Sequence, residues 1–326
     1  MLRTLAFTLF FLMPGLAWSS SDAIDLLERM TRAGKELTYQ GVFTYHNDSA
    51  IQSVQIYHRN NELGEMERLI SLNGAAREVI RSNDMVTCIN PEVEQVNVSR
   101  RPLGQGFPSD LPRRLRSATP FYEVTLGDIE RVAGRQSQVL AITPVDDYRY
   151  GYRMWVDIET DLLLKSELLS ETKAVLETFS FSSIDTQTPI EDHQFKAQTG
   201  GHEMIWYQSE PGTPLDTSSD KLISNWQANW LPEGFSLVAA QNRLRANNGA
   251  YVEQRVYSDG LSAVSVFIEK TRSRPAHLLG VSNVGAMNAY GKIIHAHFVT
   301  VVGEVPAHTV EKIGTNITFQ LSGTAP

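Results

Sequence analysis

The side chains most suited to chemistry in this 326-residue sequence are arginines, and five of them lie within 17 residues. They are Arg100, Arg101, Arg113, Arg114 and Arg116, opposed only by Asp110. A guanidinium group binds phosphate or carboxylate through paired hydrogen bonds. Next to an apolar hollow, this group would bind the head group of an anionic lipid. The alternative is a solvated basic loop.

A second set of arginines lies in the C-terminal third: Arg243, Arg245, Arg272 and Arg274. Residues 221–326 hold nine Lys and Arg against six Asp and Glu, a net charge of +3, so the first 220 residues must carry −11 to give the total of −8. This asymmetry predicts that the C-terminal part contacts an acidic partner, with these arginines as the contact residues. An ordinary charged surface is the alternative.

No motif for catalysis or for binding a cofactor is found. The sequence lacks a GxSxG elbow, an HExxH helix, a P-loop and a GxGxxG turn that opens a helix. His295 and His297 would share a strand face, but no spacing brings further metal ligands to them. Asp146-Asp147 and Ser258-Asp259-Gly260 are predicted to be turns. The sequence therefore predicts a protein without enzymatic activity, metal or cofactor.

The elements that must position these residues begin with a helix. Ile24, Leu27, Met30, Ala33 and Leu37 recur at three- and four-residue intervals after Ser21, which predicts one amphipathic helix. The period then changes to two, with Asn and Gly at the turns. Strands are predicted at 39–46, 51–59, 65–72, 77–82, 85–90, 93–99, 121–131, 136–143, 150–158, 162–169 and 175–184.

Such a meander of eleven strands would expose a large apolar face. In the ribbon at 150–158, Tyr152, Met154, Val156 and Ile158 face one way, and Arg153, Trp155 and Asp157 the other. Two helices could pack on this apolar face: the first helix and a short helix predicted at 109–117, within an insertion rich in Pro and Arg. We therefore expect a curved antiparallel sheet around helices with an apolar concavity. The alternative is a closed barrel or a packed sandwich.

Residues 189–220 are polar and rich in Gly, Pro, Ser and Thr, as linkers are. They divide a large domain, 20–188, from a small one, 221–326. Strands are predicted in the small domain at 251–257, 262–269, 278–284, 291–302 and 316–321. The sequence GEVPAHTVEKIG predicts one helix, with Pro306 in its first turn. The small domain is thus expected to be a sheet with one helix, and the whole chain an α+β protein.

The first 19 residues predict an export signal: Arg3, an apolar run from Leu5 to Leu16, and a small-x-small site at residues 17–19. No later run approaches the roughly 20 apolar residues of a membrane-spanning helix. The single cysteine, Cys88, excludes an intramolecular disulfide and is predicted to be buried in a strand. An exported, net-acidic chain is a poor candidate for binding nucleic acid.

Five segments resemble the RseB/MucB family. They are NGAAREVIR (73–81), RVAGRQSQVLAITPVDDYRYGYRMWVDIETDLLLKSELL (131–169), WLPEGFSL (230–237), VYSDGLSAVSVFIE (256–269) and VTVVGEVPAHTVEKI (299–313). The resemblance implies a LolA/LolB-like half-barrel in the large domain. It also implies a periplasmic regulator that binds the periplasmic region of a membrane anti-sigma factor, RseA or MucA, and shields it from the first protease of the envelope-stress cascade. Lipid or lipopolysaccharide would release the anti-sigma factor.

Two other functions remain open from the sequence. A periplasmic carrier of lipid or lipoprotein needs only the large domain, although it does not need a second, positively charged domain. An exported hydrolase would need a nucleophile or a metal set that the sequence does not display. The sequence leaves open whether the chain forms homo-oligomers.

Overall fold

The computed structural model describes residues 20–47, 50–83, 85–90, 95–100, 119–197, 205–208, 225–244, 251–270 and 279–320. The α-helices in these ranges are α1 (Ser20–Glu36) and α2 (Ala307–Thr315), and neither is long and apolar enough to cross a membrane. The strands are β1 (Tyr39–Asn47), β2 (Ala50–Asn61), β3 (Gly64–Ser71), β4 (Glu78–Ser82), β5 (Met85–Asn90), β6 (Gln95–Arg100), β7 (Tyr122–Val132), β8 (Arg135–Pro144), β9 (Gly151–Asp157), β10 (Leu163–Leu169), β11 (Val175–Asp185), β12 (Ile205–Gln208), β13 (Trp226–Ala228), β14 (Ser236–Leu244), β15 (Tyr251–Ser258), β16 (Ala263–Lys270), β17 (Gly280–Val284), β18 (Met287–Ile294), β19 (His297–Gly303) and β20 (Ile317–Phe319).

The first twelve strands form one sheet in the order β12-β6-β5-β4-β3-β2-β1-β11-β10-β9-β8-β7. The eleven predicted strands of the meander are all present, with ends within two residues of those predicted. Neighbouring strands are antiparallel except β12, which lies parallel to β6. We call this sheet and α1 the N-terminal unit.

Helix α1 fills the concave side of this sheet. Ala23, Leu27 and Met30 are at most 1% exposed and pack in one cluster with Leu140 of β8 and Met154 of β9. β7 and β12 lie at opposite ends of the strand order and do not pair with each other in the described residues. The predicted curved, open sheet is therefore confirmed, and the closed barrel is wrong. The helix predicted at 109–117 lies outside the described residues.

The convex face is also covered where Trp155 lies. Trp155 is 2% exposed because it packs in an apolar cluster that includes Val139 and Leu164. Arg153 and Lys165 also stack over its ring, at 5.0 and 4.0 Å from the ring centroid. Its indole N–H donates to Glu130 at 2.8 Å. The predicted alternation along β9 therefore holds, with Met154 facing α1 and Trp155 facing outward beneath charged side chains.

The helix interface supplies a first testable prediction. We expect Leu27→Ala to lower the free energy of unfolding by about 2–5 kcal/mol, because Leu27 is fully buried and its deletion leaves a cavity. Urea denaturation followed by circular dichroism measures the change. Leu63→Ala is the matched control, since Leu63 lies in a turn and is 83% exposed. Equal losses in both variants would mean that α1 does not anchor the sheet.

The beginning of the predicted linker is held against the convex face of β2–β4. Arg59 donates to the Ile190 carbonyl at 2.9 Å and to Asp192 at 2.7 Å. Arg68, which is fully buried, pairs with Glu78 at 2.8 Å and donates to the Gln194 carbonyl at 2.9 Å. Within the same predicted linker, residues 205–208 form β12.

The C-terminal unit comprises a six-stranded antiparallel sheet, β14-β15-β16-β19-β18-β17, the pair β13-β20, and α2. The predicted helix is confirmed, with Pro306 at its N-cap position. Val310 and Ile313 on α2 are fully buried against Val266 and Val301 of the sheet. The long strand β14 was not predicted.

The single strand predicted at 291–302 is wrong. The chain turns at His295 and Ala296, whose φ values of 45° and 61° are left-handed, and β18 and β19 form a hairpin. A two-residue turn of this kind normally contains Gly or Asn, and neither residue stands at positions 295–296, so no turn was predicted here. His295 and His297 therefore do not share a strand face. In the described residues, no three His, Cys, Asp or Glu side chains are grouped to hold a metal.

Candidate functional site

The two units meet through residues 145–150, which connect β8 to β9. Arg149 is fully buried there, and it donates to Asp259 of the C-terminal unit at 3.0 Å. It also pairs with Asp146 at 3.1 Å and donates to the Glu233 carbonyl. Its guanidinium group lies 4.9 Å from the centre of the Phe121 ring. Arg149 is thus enclosed by groups from both units.

Asp259 is the acceptor at the centre of these contacts between the two units. One carboxylate oxygen accepts from the backbone N–H groups of Leu261 and Ser262, at 2.8 and 2.7 Å. The other accepts from Arg149 and from the Tyr122 hydroxyl, both at 3.0 Å. Burial, together with the charge of Asp259, raises the pKa of Tyr122, so its hydroxyl remains a donor. A buried carboxylate with four donors is fully compensated.

The backbone of Gly234 lies close to the ring of Phe121 where the two units meet. Gly234 has φ +84°, and a side chain at this position would overlap the ring of Phe121. Leu261 packs into the same cluster as α1. The two units therefore share apolar core as well as hydrogen bonds.

Tyr148 and Tyr150, on either side of Arg149, also contact the C-terminal unit. The Tyr148 carbonyl accepts from Thr309 at 3.0 Å, and its hydroxyl accepts from Lys312 at 2.7 Å. Asn288 donates to the Tyr150 hydroxyl at 2.9 Å. Three successive residues of one loop thus bind three parts of the other unit, and we call these contacts the interdomain joint.

The sequence analysis assigned Asp146-Asp147 and Ser258-Asp259-Gly260 only to turns. The turn geometry is present, since Asp259 accepts from backbone N–H groups two and three residues later. The link between the two turns runs through Arg149, and it was missed because Arg149 and Asp259 lie 110 positions apart. The available signal was that both turns lie in segments that resemble the RseB/MucB family.

Beside the joint, the concave face of the large sheet lines a half-open cavity of about 370 Å³. Its lining side chains are Tyr45, Tyr152, Leu163, Ser166, Leu168, Glu177, Phe179 and Glu304. Glu304 comes from the C-terminal unit, and the others come from the N-terminal unit. The Tyr45 hydroxyl donates to Glu177. Burial and the nearby Glu177 carboxylate raise the pKa of Glu304 to about 7.

The predicted site residues are only partly described. Arg100 ends β6 opposite Met85, and Arg243 lies in β14 opposite Val252, with only their backbone described. The other arginines named for lipid or partner binding lie outside the described residues: Arg101, Arg113, Arg114, Arg116, Arg245, Arg272 and Arg274. Their assignments stay predictions.

Two family models match the chain, the MucB/RseB N-terminal domain over residues 22–199 and the MucB/RseB C-terminal domain over residues 220–318. The chain is 33% identical to the sigma factor AlgU regulatory protein MucB of Pseudomonas aeruginosa, over 92% of each protein. It is 25% identical to the sigma-E factor regulatory protein RseB of Escherichia coli, over 90% of each.

Solved structures give the same result. The chain aligns with MucB in the Pseudomonas aeruginosa MucA/MucB complex at a TM-score of 0.71 and 30% identity, over 92% of this chain and all of that one. A crystal structure of MucB aligns at a TM-score of 0.55 and 29% identity, over 92% of this chain and 98% of that one. Since both domain models and both units match, this chain belongs to the MucB/RseB family of sigma factor regulatory proteins.

Proposed function

We propose that the chain is a periplasmic regulator that binds the periplasmic region of a membrane anti-sigma factor of the MucA or RseA type. The observation that carries this proposal is the match of the whole two-unit chain to MucB in its complex with MucA. A bound segment is shielded from a protease in proportion to its occupancy, so binding alone limits proteolysis and keeps the sigma factor inhibited.

The proposed cellular location and domain limits follow from the sequence. Residues 1–19 would be removed on export, leaving a large domain at 20–188, a linker at 189–220 and a small domain at 221–326. The family includes regulators named for sigma factors in bacteria with a periplasm, which supports this location. We also propose that the chain acts by binding and has no catalytic activity.

The proposed partner site is the second arginine set. Arg243, Arg245, Arg272 and Arg274 would bind acidic groups of the anti-sigma segment, in the part of the chain that carries a net charge of +3. Charges at the rim of an interface mainly set the association rate and its dependence on salt.

A binding assay tests the proposal. We expect the mature full-length chain to bind a purified MucA- or RseA-type periplasmic segment in isothermal titration calorimetry and to slow its cleavage by the envelope-stress protease. Replacing the four arginines with Ser should weaken binding roughly tenfold or more at low salt. The matched control replaces four exposed cations of the N-terminal unit, Arg32, Arg77, Arg131 and Lys173. Absence of binding by the unmodified chain would refute the regulatory function.

The cavity favours a second activity, the binding of lipid. Its volume lies at the lower end of the roughly 300–1,000 Å³ that ligand pockets occupy. Its walls include Tyr152, Leu163, Leu168 and Phe179, which suit an acyl chain. A lipid that prefers the conformation without the anti-sigma factor would release that partner, and each ligand would weaken the other by the same factor.

Two outcomes separate the lipid hypotheses. If Arg113, Arg114 and Arg116 are replaced with Ser and the lipid response is unchanged, these arginines do not bind the head group. If the chain transfers lipid or lipoprotein between membranes without binding any anti-sigma segment, it is a carrier.

A further inference from the structure

The end of helix α1 is held by side chains of strand β2. The ring of His58, which is 1% exposed, lies with Nδ1 2.8 Å from the carbonyl oxygen of Leu37, just beyond the helix. Asn60, two residues further along β2, donates to the Lys35 carbonyl at 2.9 Å. Carbonyl groups at the end of a helix lack partners within the helix, and these two side chains supply them. Strand β2 therefore caps α1.

The second ring nitrogen of His58 faces strand β3. Nε2 lies 3.2 Å from a carboxylate oxygen of Glu65, whose side chain is 15% exposed. One face of the ring stacks on Tyr39 of β1, with ring centroids 4.8 Å apart. The His58 ring thus connects the end of α1 to the strands beneath it through two hydrogen bonds and one stacking contact.

Both oxygens that His58 contacts are hydrogen-bond acceptors. The carbonyl oxygen of Leu37 carries no hydrogen, so Nδ1 must donate to it. The hydrogen bond with His58 lowers the pKa of Glu65, so this carboxylate is ionised near neutral pH and Nε2 must donate as well. An imidazole that donates through both nitrogens is an imidazolium ion. A positive charge at this place is also favourable because it lies at the C-terminal end of a helix.

We propose that His58 is a pH-sensitive clamp on α1, closed when both ring nitrogens carry hydrogen and open when one of them loses it. A ring with a single hydrogen can donate to Leu37 or to Glu65, but not to both. Its bare nitrogen then faces the lone pairs of an oxygen, so one of the two hydrogen bonds must break. The clamp acts within the N-terminal unit and is independent of the proposed function.

The charged and titratable groups around the ring come from four elements. They are Glu65 and Glu67 of β3, Arg81 of β4, Lys35 of α1 and Tyr39 of β1. Burial raises the pKa of Glu67, and Arg81, 3.8 Å away, acts in the opposite direction. Burial and both carboxylates raise the pKa of Tyr39, so its hydroxyl stays neutral. Because Glu67 lies directly across from His58 in the sheet, its titration has to be separated from that of the ring by experiment.

The pH range of the clamp is set by its two members. Since the pKa of Glu65 is lowered, its contribution to stability is present above the ordinary carboxyl range and is lost as the pH falls below it. The contribution of a ring that is an imidazolium ion in the closed clamp is present at acid pH and is lost as the pH rises and the ring gives up its proton. We therefore expect α1 to be held most tightly in mildly acid solution.

Hydrogen–deuterium exchange of the mature full-length chain tests the clamp, after correction for the intrinsic effect of pH on exchange. Between about pH 6 and about pH 9, which brackets most of the ordinary imidazole range, we expect the protection of residues 33–37 to fall relative to residues 23–30. The fall should be roughly tenfold or more, the size of one charge-assisted hydrogen bond. His58→Gln should abolish it, because an amide keeps the same donors at every pH.

Two further variants serve as controls. His46 is exposed on β1, so His46→Gln should leave the fall in protection unchanged. Glu67→Gln should also leave it unchanged, because the clamp depends on the ring and not on this carboxyl group. A fall that disappears in Glu67→Gln, or one that persists in His58→Gln, would assign the pH dependence to another group and overturn the clamp.

Nitrogen-15 NMR of the histidine rings gives a readout that requires no variant to fold. We expect the His58 ring to keep hydrogen on both nitrogens to a higher pH than the exposed His46 ring. A His58 ring that has one bare nitrogen at about pH 6 would overturn the proposal. Equal protection of the end of α1 at both pH values in the unmodified chain would overturn it as well.

Discussion

Replacing Arg149 with Met is expected to lower the free energy of unfolding by about 3–5 kcal/mol, because it leaves Asp259 buried without its cationic partner. The loss should appear in urea denaturation. Because Arg149 connects the units, we also expect their unfolding transitions to separate and the radius of gyration in small-angle X-ray scattering to increase.

The control for this variant is an exposed pair of the same type. Arg29 and Asp161 lie 3.2 Å apart, with side chains 45% and 31% exposed, so Arg29→Met should cost less than about 1 kcal/mol. The double variant Arg149→Met with Asp259→Asn should recover part of the loss, since no unpaired charge then remains. If Arg149→Met and Arg29→Met behaved alike, the joint would not depend on the buried ion pair.

Gly234→Ala is expected to have the second large effect, about 3 kcal/mol or more, from strain in a left-handed backbone and from overlap with Phe121. Gly74→Ala is the matched control, because Gly74 also has a positive φ, +70°, but has no atom near the added methyl group. The control should therefore show the backbone effect alone.

Thermal unfolding and small-angle scattering measure both glycine variants. We expect Gly234→Ala to separate the units and Gly74→Ala to leave them docked. Adding Phe121→Leu to Gly234→Ala should restore part of the docking, since the smaller side chain can move away from the new methyl group. Equal behaviour of the two glycine variants would show that Phe121 tolerates the overlap.

Local sequence patterns determined most of the secondary structure. The spacing of Leu27 and Met30 predicted α1, and the two-residue alternation around Met154 and Trp155 predicted the strand β9 and which of its side chains share a face. These predictions succeed because burial on one face of an element imposes its period on the sequence. They failed at His295-Ala296, where a left-handed turn is formed by residues that do not favour it.

The sequence by itself determined a large antiparallel sheet with a helix, a second small unit and, through the quoted motifs, the family. It left open whether the sheet closes into a barrel, and the strand order decided that it does not. Only the tertiary structure decided that Arg149 donates a hydrogen bond to Asp259, and that Glu304 of the C-terminal unit lines the same cavity as Glu177 of the N-terminal unit. These contacts join residues more than 100 positions apart, and each of them depends on how two finished units dock. A local pattern reports which face of an element is buried, but it contains no information on which distant turn lies against it.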